Sequence, residues 1–323
     1  MSSTIAPEKI LRELSEMWTE LAASAGGDDG ALRACSLTLV TLAEEKDDFS
    51  ALGETLAALM PEHPARNLVV QLTGDGERAL SERVYSQCWM PFGQKRKVCC
   101  EQVEISISDA ALADLPSVIL PLAVADLPVI VWCRSPRIVG MPEFAAIAAM
   151  ASRVIVDGDA LGRIPDAAPS GTRLGDLAWT RLTPWRATLS QIFENRQQLA
   201  ELPHVSRVII TTAGAPSTKA WYFAAWVLNA LADARITPEF EMQSQAGAAA
   251  GLKAIELEAG EASVKLECHD QRLITTAGGI AQCNPLRPPS DYALMREELR
   301  IVGADAVFDR ALATARRLAG ASK

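Results

Sequence analysis

Histidine is scarce, with three in 323 residues. His63, His204 and His269 lie so far apart in sequence that no ligand pair for a metal is indicated. The chain also lacks a G-x-S-x-G nucleophile elbow, an H-E-x-x-H helix and a complete Walker A loop, which leaves covalent hydrolase and nucleotidase chemistry without a scaffold. Basic residues are outnumbered, 31 Lys and Arg against 40 Asp and Glu, for a formal net charge of -9. Such a surface repels a phosphate backbone, and the basic clusters are as short as Lys95, Arg96, Lys97 and Arg316, Arg317, so nucleic acid is excluded as a partner. A long unbroken apolar run is missing too. The most apolar stretch, Ala111 to Cys133, is interrupted by Asp114, Pro116, Pro121, Asp126 and Pro128 and reads as buried helix, turn and buried strand, with no membrane span. Met1 to Glu20 has early acids and no basic start, unlike an export signal. Seven cysteines without C-x-x-C spacing read as free thiols of a reducing compartment, which places the chain in the cytoplasm.

What remains is a globular balance, 49% apolar and 22% charged, in a chain long enough for two domains. Arg33 to Leu42 reads as a strand. Asp47 and Asp48 offer an N-cap, and Phe49, Leu52, Leu56, Leu59 and Met60 recur at helical spacing up to Pro61. Arg66 to Leu72 is the next strand and completes a right-handed βαβ unit. The alternation continues through a strand at Val98 to Ile107, a helix around Leu112 to Val124, a strand at Pro128 to Cys133, a short helix after Pro142 and a strand at Arg153 to Asp157. The Gly, Pro and Ala-rich stretch from Gly158 to Gly171 reads as a loop that ends this sheet. Beyond it come a helical segment, a strand at Val205 to Thr212 and a helix through Trp221 to Ala232. Ile255 and Leu257 alternate with Glu256 and Glu258, and Val264 and Leu266 with Lys265 and Glu267, around a turn at Gly260, which predicts an antiparallel hairpin with one wet face. Ser290 and Asp305 cap two final helices. The fold class predicted is α/β: residues 1–200 form a mainly parallel sheet flanked by helices, and residues 201–323 an α+β domain containing the hairpin.

Four features are candidates for function. Gly74, Gly76 and Ala79 follow a strand and match the phosphate-binding pattern G-x-G-x-x-A, but Asp75 and Glu77 inside it oppose a phosphate, so a surface turn is the plainer reading. Ser217, Thr218 and Lys219 start a helix after the strand at Val205 to Thr212 and could hold an anion, against the simpler reading of an N-cap. Cys99 and Cys100 invite a redox reading, yet successive strand residues face opposite ways, so a bond between them would need strain. The segment GDLAWTRLTPWRATLSQIF, Gly175 to Phe193, interleaves Trp179, Arg181, Trp185 and Arg186. Asp176 opens one short helix, Thr183 and Pro184 read as N-cap and first position of the next, and Trp185, Leu189, Ile192 and Phe193 share a face. Trp and Arg at this density fit either a helix anchored in a core or a protein interface. Lys95, Arg96 and Lys97 are a second candidate contact.

Four stretches carry a resemblance to a known family. DLAWTRLTPWR from Asp176, VCCEQVEI from Val98, LPSVILPLAVADLPVIVW from Leu115 and the ending MREELRIVGADAVFDRAL together resemble the glucose-6-phosphate dehydrogenase assembly protein OpcA family. Cys133 departs from the pattern, which has a second tryptophan after Trp132. The resemblance implies a partner, glucose-6-phosphate dehydrogenase, and an assembly or allosteric role with no reaction and no cofactor of its own. The rival reading from the residues is a nucleotide- or sugar-phosphate-binding enzyme or sensor using Gly74 to Ala79 or Gly214 to Lys219.

Overall fold

The computed structural model describes residues 7–24, 32–74, 76–89, 97–158, 171–246, 251–260 and 262–321. The chain divides into two compact units, the first built mainly from residues 1–157 and 163–175, the second mainly from 176–297 and 301–323. The division thus falls between Asp157 and Asp176, ahead of the position near residue 200 expected from sequence, because the Trp/Arg segment packs among helices of the second unit.

The first unit comprises α1 (Pro7–Ser24), β1 (Leu32–Arg33), β2 (Leu37–Glu44), α2 (Phe49–Leu59), β3 (Ala65–Leu72), β4 (Leu80–Trp89), β5 (Val98–Ile107), α3 (Leu115–Leu122), β6 (Val129–Cys133), α4 (Pro136–Val139), α5 (Glu143–Ala149), β7 (Arg153–Val156) and β8 (Arg173–Asp176). Its sheet has the order β1-β5-β3-β2-β6-β7-β8, with β4 paired antiparallel along β5. The pairs β2/β3, β3/β5, β2/β6 and β6/β7 are parallel. Leu37 to Ala43 of β2 are buried without alternation, as befits a strand covered on both faces. Asp48 starts α2 by accepting from the Ser50 and Ala51 amides, at 2.9 and 3.0 Å, and Leu52, Leu56 and Leu59 turn inward.

The stretch Gly74 to Ala79 is a turn, as its plainer reading has it, and one expectation fails. The stretch after Gly74 leads into β4, which has an intermediate to exposed burial pattern and no helix, so the G-x-G-x-x-A match is a strand-to-strand connection. The sheet does not end at residue 158, since β8 extends it beyond β7. Most of the expected loop, 159–170, lies outside the described residues.

The second unit contains α6 (Leu177–Thr180), α7 (Thr183–Ile192), α8 (Arg196–Glu201), β9 (Arg207–Ala213), α9 (Thr218–Asp233), β10 (Glu239–Gln245), β11 (Gly251–Ala259), β12 (Ala262–His269), β13 (Arg272–Ala277), β14 (Ile280–Pro285), α10 (Asp291–Leu299) and α11 (Ala306–Ala321). Its sheet runs β10-β9-β11-β12-β13-β14, with β10 and β9 parallel and the later pairs antiparallel. In the predicted hairpin, Ile255 faces Leu266 and Leu257 faces Val264, all buried, while Glu256 faces Lys265 on the wetter side. The β13–β14 turn is Gly278-Gly279, both at positive φ (55° and 76°), the backbone a two-residue hairpin turn requires. Residues Ala220 to Ala225 of α9 are all buried, along with Val227 and Leu231. A helix covered on so many faces is apolar on most of them.

Candidate functional site

The order β5-β3-β2-β6-β7-β8 is that of a doubly wound sheet, 3-2-1-4-5-6 in chain order, and it reverses between β2 and β6. In such sheets a ligand binds beyond the carboxyl ends of the strands at the reversal, with phosphates on a glycine-rich turn. Here β2 ends at Glu44 and is followed by Glu45-Lys46-Asp47-Asp48, and no glycine occurs between Glu44 and Leu52. The amides at the start of α2 are capped by Asp48 itself. Glu44 accepts hydrogen bonds from the Ser135 hydroxyl and from Arg137, whose Nη2 lies 3.2 Å from Oε2. Arg137 also pairs with Asp109, which follows β5, and Arg134 lies 3.7 Å from Asp47. Burial alone would raise the Glu44 carboxyl, but the Ser135 and Arg137 contacts overcome it and hold Glu44 below its usual range. The connections at the reversal therefore present acids and ion pairs in place of free amides on a glycine-rich turn, and a dinucleotide pyrophosphate does not fit these residues.

The Trp/Arg segment is largely interior to the second unit. Trp179 is 3% exposed and packs on Tyr222 and Phe308, with ring centroids 6.3 and 5.7 Å away. Its Nε1 donates to Asp305 at 3.3 Å. The Arg186 guanidinium sits 3.7 Å above the Trp179 ring, and its Nη2 donates to the Thr183 hydroxyl. Trp185 is 5% exposed and meets Phe223 edge-on at 5.6 Å. The two tryptophans thus anchor helices, and the two arginines are half-buried. Asp176 caps α6 as expected, but Thr183 lies within α7, bonding to Glu297, and Leu182 holds the cap position without a side-chain bond.

One end of this segment opens onto a cavity of about 380 Å³ in the second unit. Arg181, Pro184 and Trp185 line it together with Lys219 of α9, Leu286 and the Arg287-Pro288-Pro289 connection, and none of its lining residues is acidic. The structure therefore joins two features that the sequence presented separately, Arg181 and Trp185 from one and Lys219 from the other. Ser217 spends its hydroxyl capping α9 at the Ala220 amide, 3.4 Å away, and Thr218 is buried. Arg287 was not singled out in the sequence, where only its Pro-Pro neighbour marks it as held in place.

Cys99 bonds to Cys88, not Cys100, against the expectation that all seven thiols are free. The unforeseen strand β4 sets Cys88 directly opposite Cys99 in register. Cys100 is buried, and burial pushes its thiol up to about 11. Lys97 is exposed just before β5, while Lys95 and Arg96 lie outside the described residues. Among the described residues no group of three His, Cys, Asp or Glu side chains is placed to hold a metal ion, and no helix is long and apolar enough to cross a membrane.

Comparison with known proteins decides the family. Residues 57–170 match the glucose-6-phosphate dehydrogenase subunit N-terminal domain, and residues 172–312 match the C-terminal domain of the same subunit. The chain belongs to the OpcA family. Among curated relatives, the OxPP cycle protein OpcA of Nostoc punctiforme is 27% identical over 141 residues, 42% of this chain and 30% of the relative. That of Synechococcus elongatus is 22% identical over 178 residues, 53% of this chain and 40% of the relative. The alignments thus span less than half the length of either relative. Among solved structures, a super-repressor mutant of Gal80p from Saccharomyces cerevisiae aligns with a TM-score of 0.49 at 10% identity, covering 88% of this chain and 95% of that one. Biliverdin reductase from Synechocystis, solved with biliverdin and NADP+, aligns with a TM-score of 0.45 at 10% identity over 88% of this chain and 98% of that one.

Proposed function

We propose that this OpcA-family protein is a non-catalytic factor that binds glucose-6-phosphate dehydrogenase and supports its active oligomer in the oxidative pentose phosphate pathway. The observation that carries the reading is the acidic, ion-paired surroundings of the sheet reversal. Where a dehydrogenase of this topology would cradle a cofactor, Arg137 pairs with Glu44 and Asp109, and Ser135 donates to Glu44. The family descriptions, which name a subunit of the dehydrogenase, point the same way. An activator of this kind works by differential affinity, binding the active oligomer more tightly than its alternatives. In the Trp/Arg segment the contact falls to Arg181 at the cavity, since Trp179, Trp185 and Arg186 are engaged in holding the second unit together. Lys97 offers a second contact.

The test uses the purified chain and the dehydrogenase encoded by the same organism. Co-elution in size-exclusion chromatography, a shift of the dehydrogenase toward a larger species and increased NADP reduction are the expected results. Turnover of glucose 6-phosphate by the chain alone, or no co-elution and no change in dehydrogenase activity, would reject the reading.

A further inference from the structure

The second sheet ends on β14, whose six residues are all exposed. The two-residue turn at Gly278-Gly279 sets Ala277 opposite Ile280, and a closing pair of this kind exchanges both backbone hydrogen bonds. Bonded pairs then recur at Gln282 and Asn284, and the Leu286 amide keeps the same parity by donating to the Gln271 carbonyl at 2.7 Å. The N–H and C=O groups of Ala281 and Cys283 therefore point away from β13, and among the described residues no further strand pairs with them. Natural sheet edges are blunted by charge, proline or a covering element. The opposite edge, β10, carries Glu239 and Glu241, whereas β14 reads Ile-Ala-Gln-Cys-Asn-Pro, with no charge and its one proline at the far end.

A cavity of about 280 Å³ lies against this strand, between Gln282 and Asn284 on one side and Gln191, Asn195 and Gln198 of the α7–α8 stretch on the other. None of its lining residues is charged. Among the described residues no hydrogen bond engages the carboxamides of Gln198, Gln282 or Asn284. Ile210, Ile255, Leu266, Thr275 and Gln282 stand in register across five strands. The first three are fully buried aliphatics, and Thr275, which lines the cavity, is 5% exposed with its hydroxyl unpartnered. A valine there would have the same shape without the cost of burying an unpaired hydroxyl. An open strand edge beside unpaired amides suits a peptide, whose backbone meets the edge while its side chains meet the walls. A charged side chain would find no counter-ion here, and a small molecule would leave the edge unpaired.

We propose that β14 is a strand-addition site: an extended segment of the bound protein pairs with the backbone of Ala281 and Cys283, and one of its side chains, an uncharged amide or hydroxyl, enters the cavity to meet Thr275 and the carboxamides. It rests on the reading above that the chain binds glucose-6-phosphate dehydrogenase, and takes that enzyme as the source of the strand. Successive side chains of a strand face opposite ways, so every second residue of the segment faces the cavity side.

Hydrogen-exchange mass spectrometry of the full chain, with and without the dehydrogenase, tests the proposal. Exchange at Ala281 and Cys283, fast in the free chain, is expected to slow by about tenfold or more in the complex. Ala281→Pro and Cys283→Pro each remove an outward N–H that the ladder does not use, a change that edge strands tolerate. Each should keep the parent melting temperature and weaken the complex by about tenfold, since a donor is lost and a ring meets the incoming strand. Thr275→Val should keep or raise the melting temperature and weaken the complex by about threefold or more. A complex of the parent chain without protection at residues 280–285 overturns the site and leaves the partner reading standing, as does full binding by both proline variants. No complex with the parent chain rejects the partner reading and this site together. Self-association of the free chain that both proline variants abolish, with dehydrogenase binding intact, overturns the assignment in favour of a second copy of this chain. Should a proline variant melt lower, the exchange of the parent chain decides.

Discussion

Replacing Tyr222 with Phe isolates one hydrogen bond at the centre of the second unit. Tyr222 and Asp176 are both fully buried, and the phenol donates to Asp176 Oδ2 at 2.8 Å. Asp176 Oδ1 accepts from the amides of Ala178 and Gly158, at 2.8 and 2.9 Å. Burial first, then the charge of Asp176, raises the Tyr222 hydroxyl far above its ordinary value, so it remains a donor throughout the accessible pH range. Tyr222→Phe keeps the ring against Trp179 and Phe308 and removes only the donor. A hydrogen bond to a charged group contributes about 1.5–3 kcal/mol, and a unit of this size loses roughly 2–4 °C of melting temperature per kcal/mol. The expected decrease is therefore about 3–12 °C. Asp176→Ala removes the α6 cap and strands the phenol and two amides, for a cost of about 3–5 kcal/mol. In the double variant the Tyr222→Phe change should cost almost nothing, because its acceptor is already gone. Urea denaturation of the four proteins, followed by tryptophan fluorescence, gives the coupling directly. A Tyr222→Phe cost below about 0.5 kcal/mol, or additive single costs, would refute the reasoning that the motif aspartate is held by this bond.

Two further predictions concern the first unit and the thiols. Glu44 is held below its ordinary 4.5 in the folded state, so its contribution is fully present above that pH and is lost as the pH falls through the lower folded value. Glu44→Gln should therefore flatten the decline of stability below pH 4.5, as seen in denaturation midpoints; an unchanged acid arm would contradict the ion-pair account of the crevice. Alkylation of the native protein with iodoacetamide at pH 8 should label exposed Cys283 first and spare Cys100 and Cys133, whose thiols burial pushes up to about 11 and about 12. Peptide mass spectrometry reads this out, and labelling of Cys100 at the rate of Cys283 would show that its strand is not packed as described.

Much of the architecture was legible in the sequence because its signals are short-ranged. The strand Val98–Ile107, the α2 cap at Asp48 and the hairpin around Gly260 depend on residues a few positions apart, and each appears where periodicity and capping place it. The family was legible for a related reason, since its motifs keep their order along nearly the whole chain. What the sequence concealed depends on which strands lie side by side. The strand β4 carries no clean alternation, so nothing foretold that Cys88 would stand opposite Cys99, and the adjacent Cys99 and Cys100 drew attention to the wrong pair. Glu44 at the end of β2, Asp109 after β5 and Arg137 in α4 are far apart in the chain, and only the sheet order brings them together. Periodicity likewise could not tell that Trp179 and Trp185 serve the core while Arg181 reaches a cavity with Lys219 and Arg287. Many of the elements and the family can be read along the chain, since both are written in neighbouring residues. Which charges meet and which cysteines pair is visible only in the folded chain, because contacts between residues far apart in sequence are set by strand order and register.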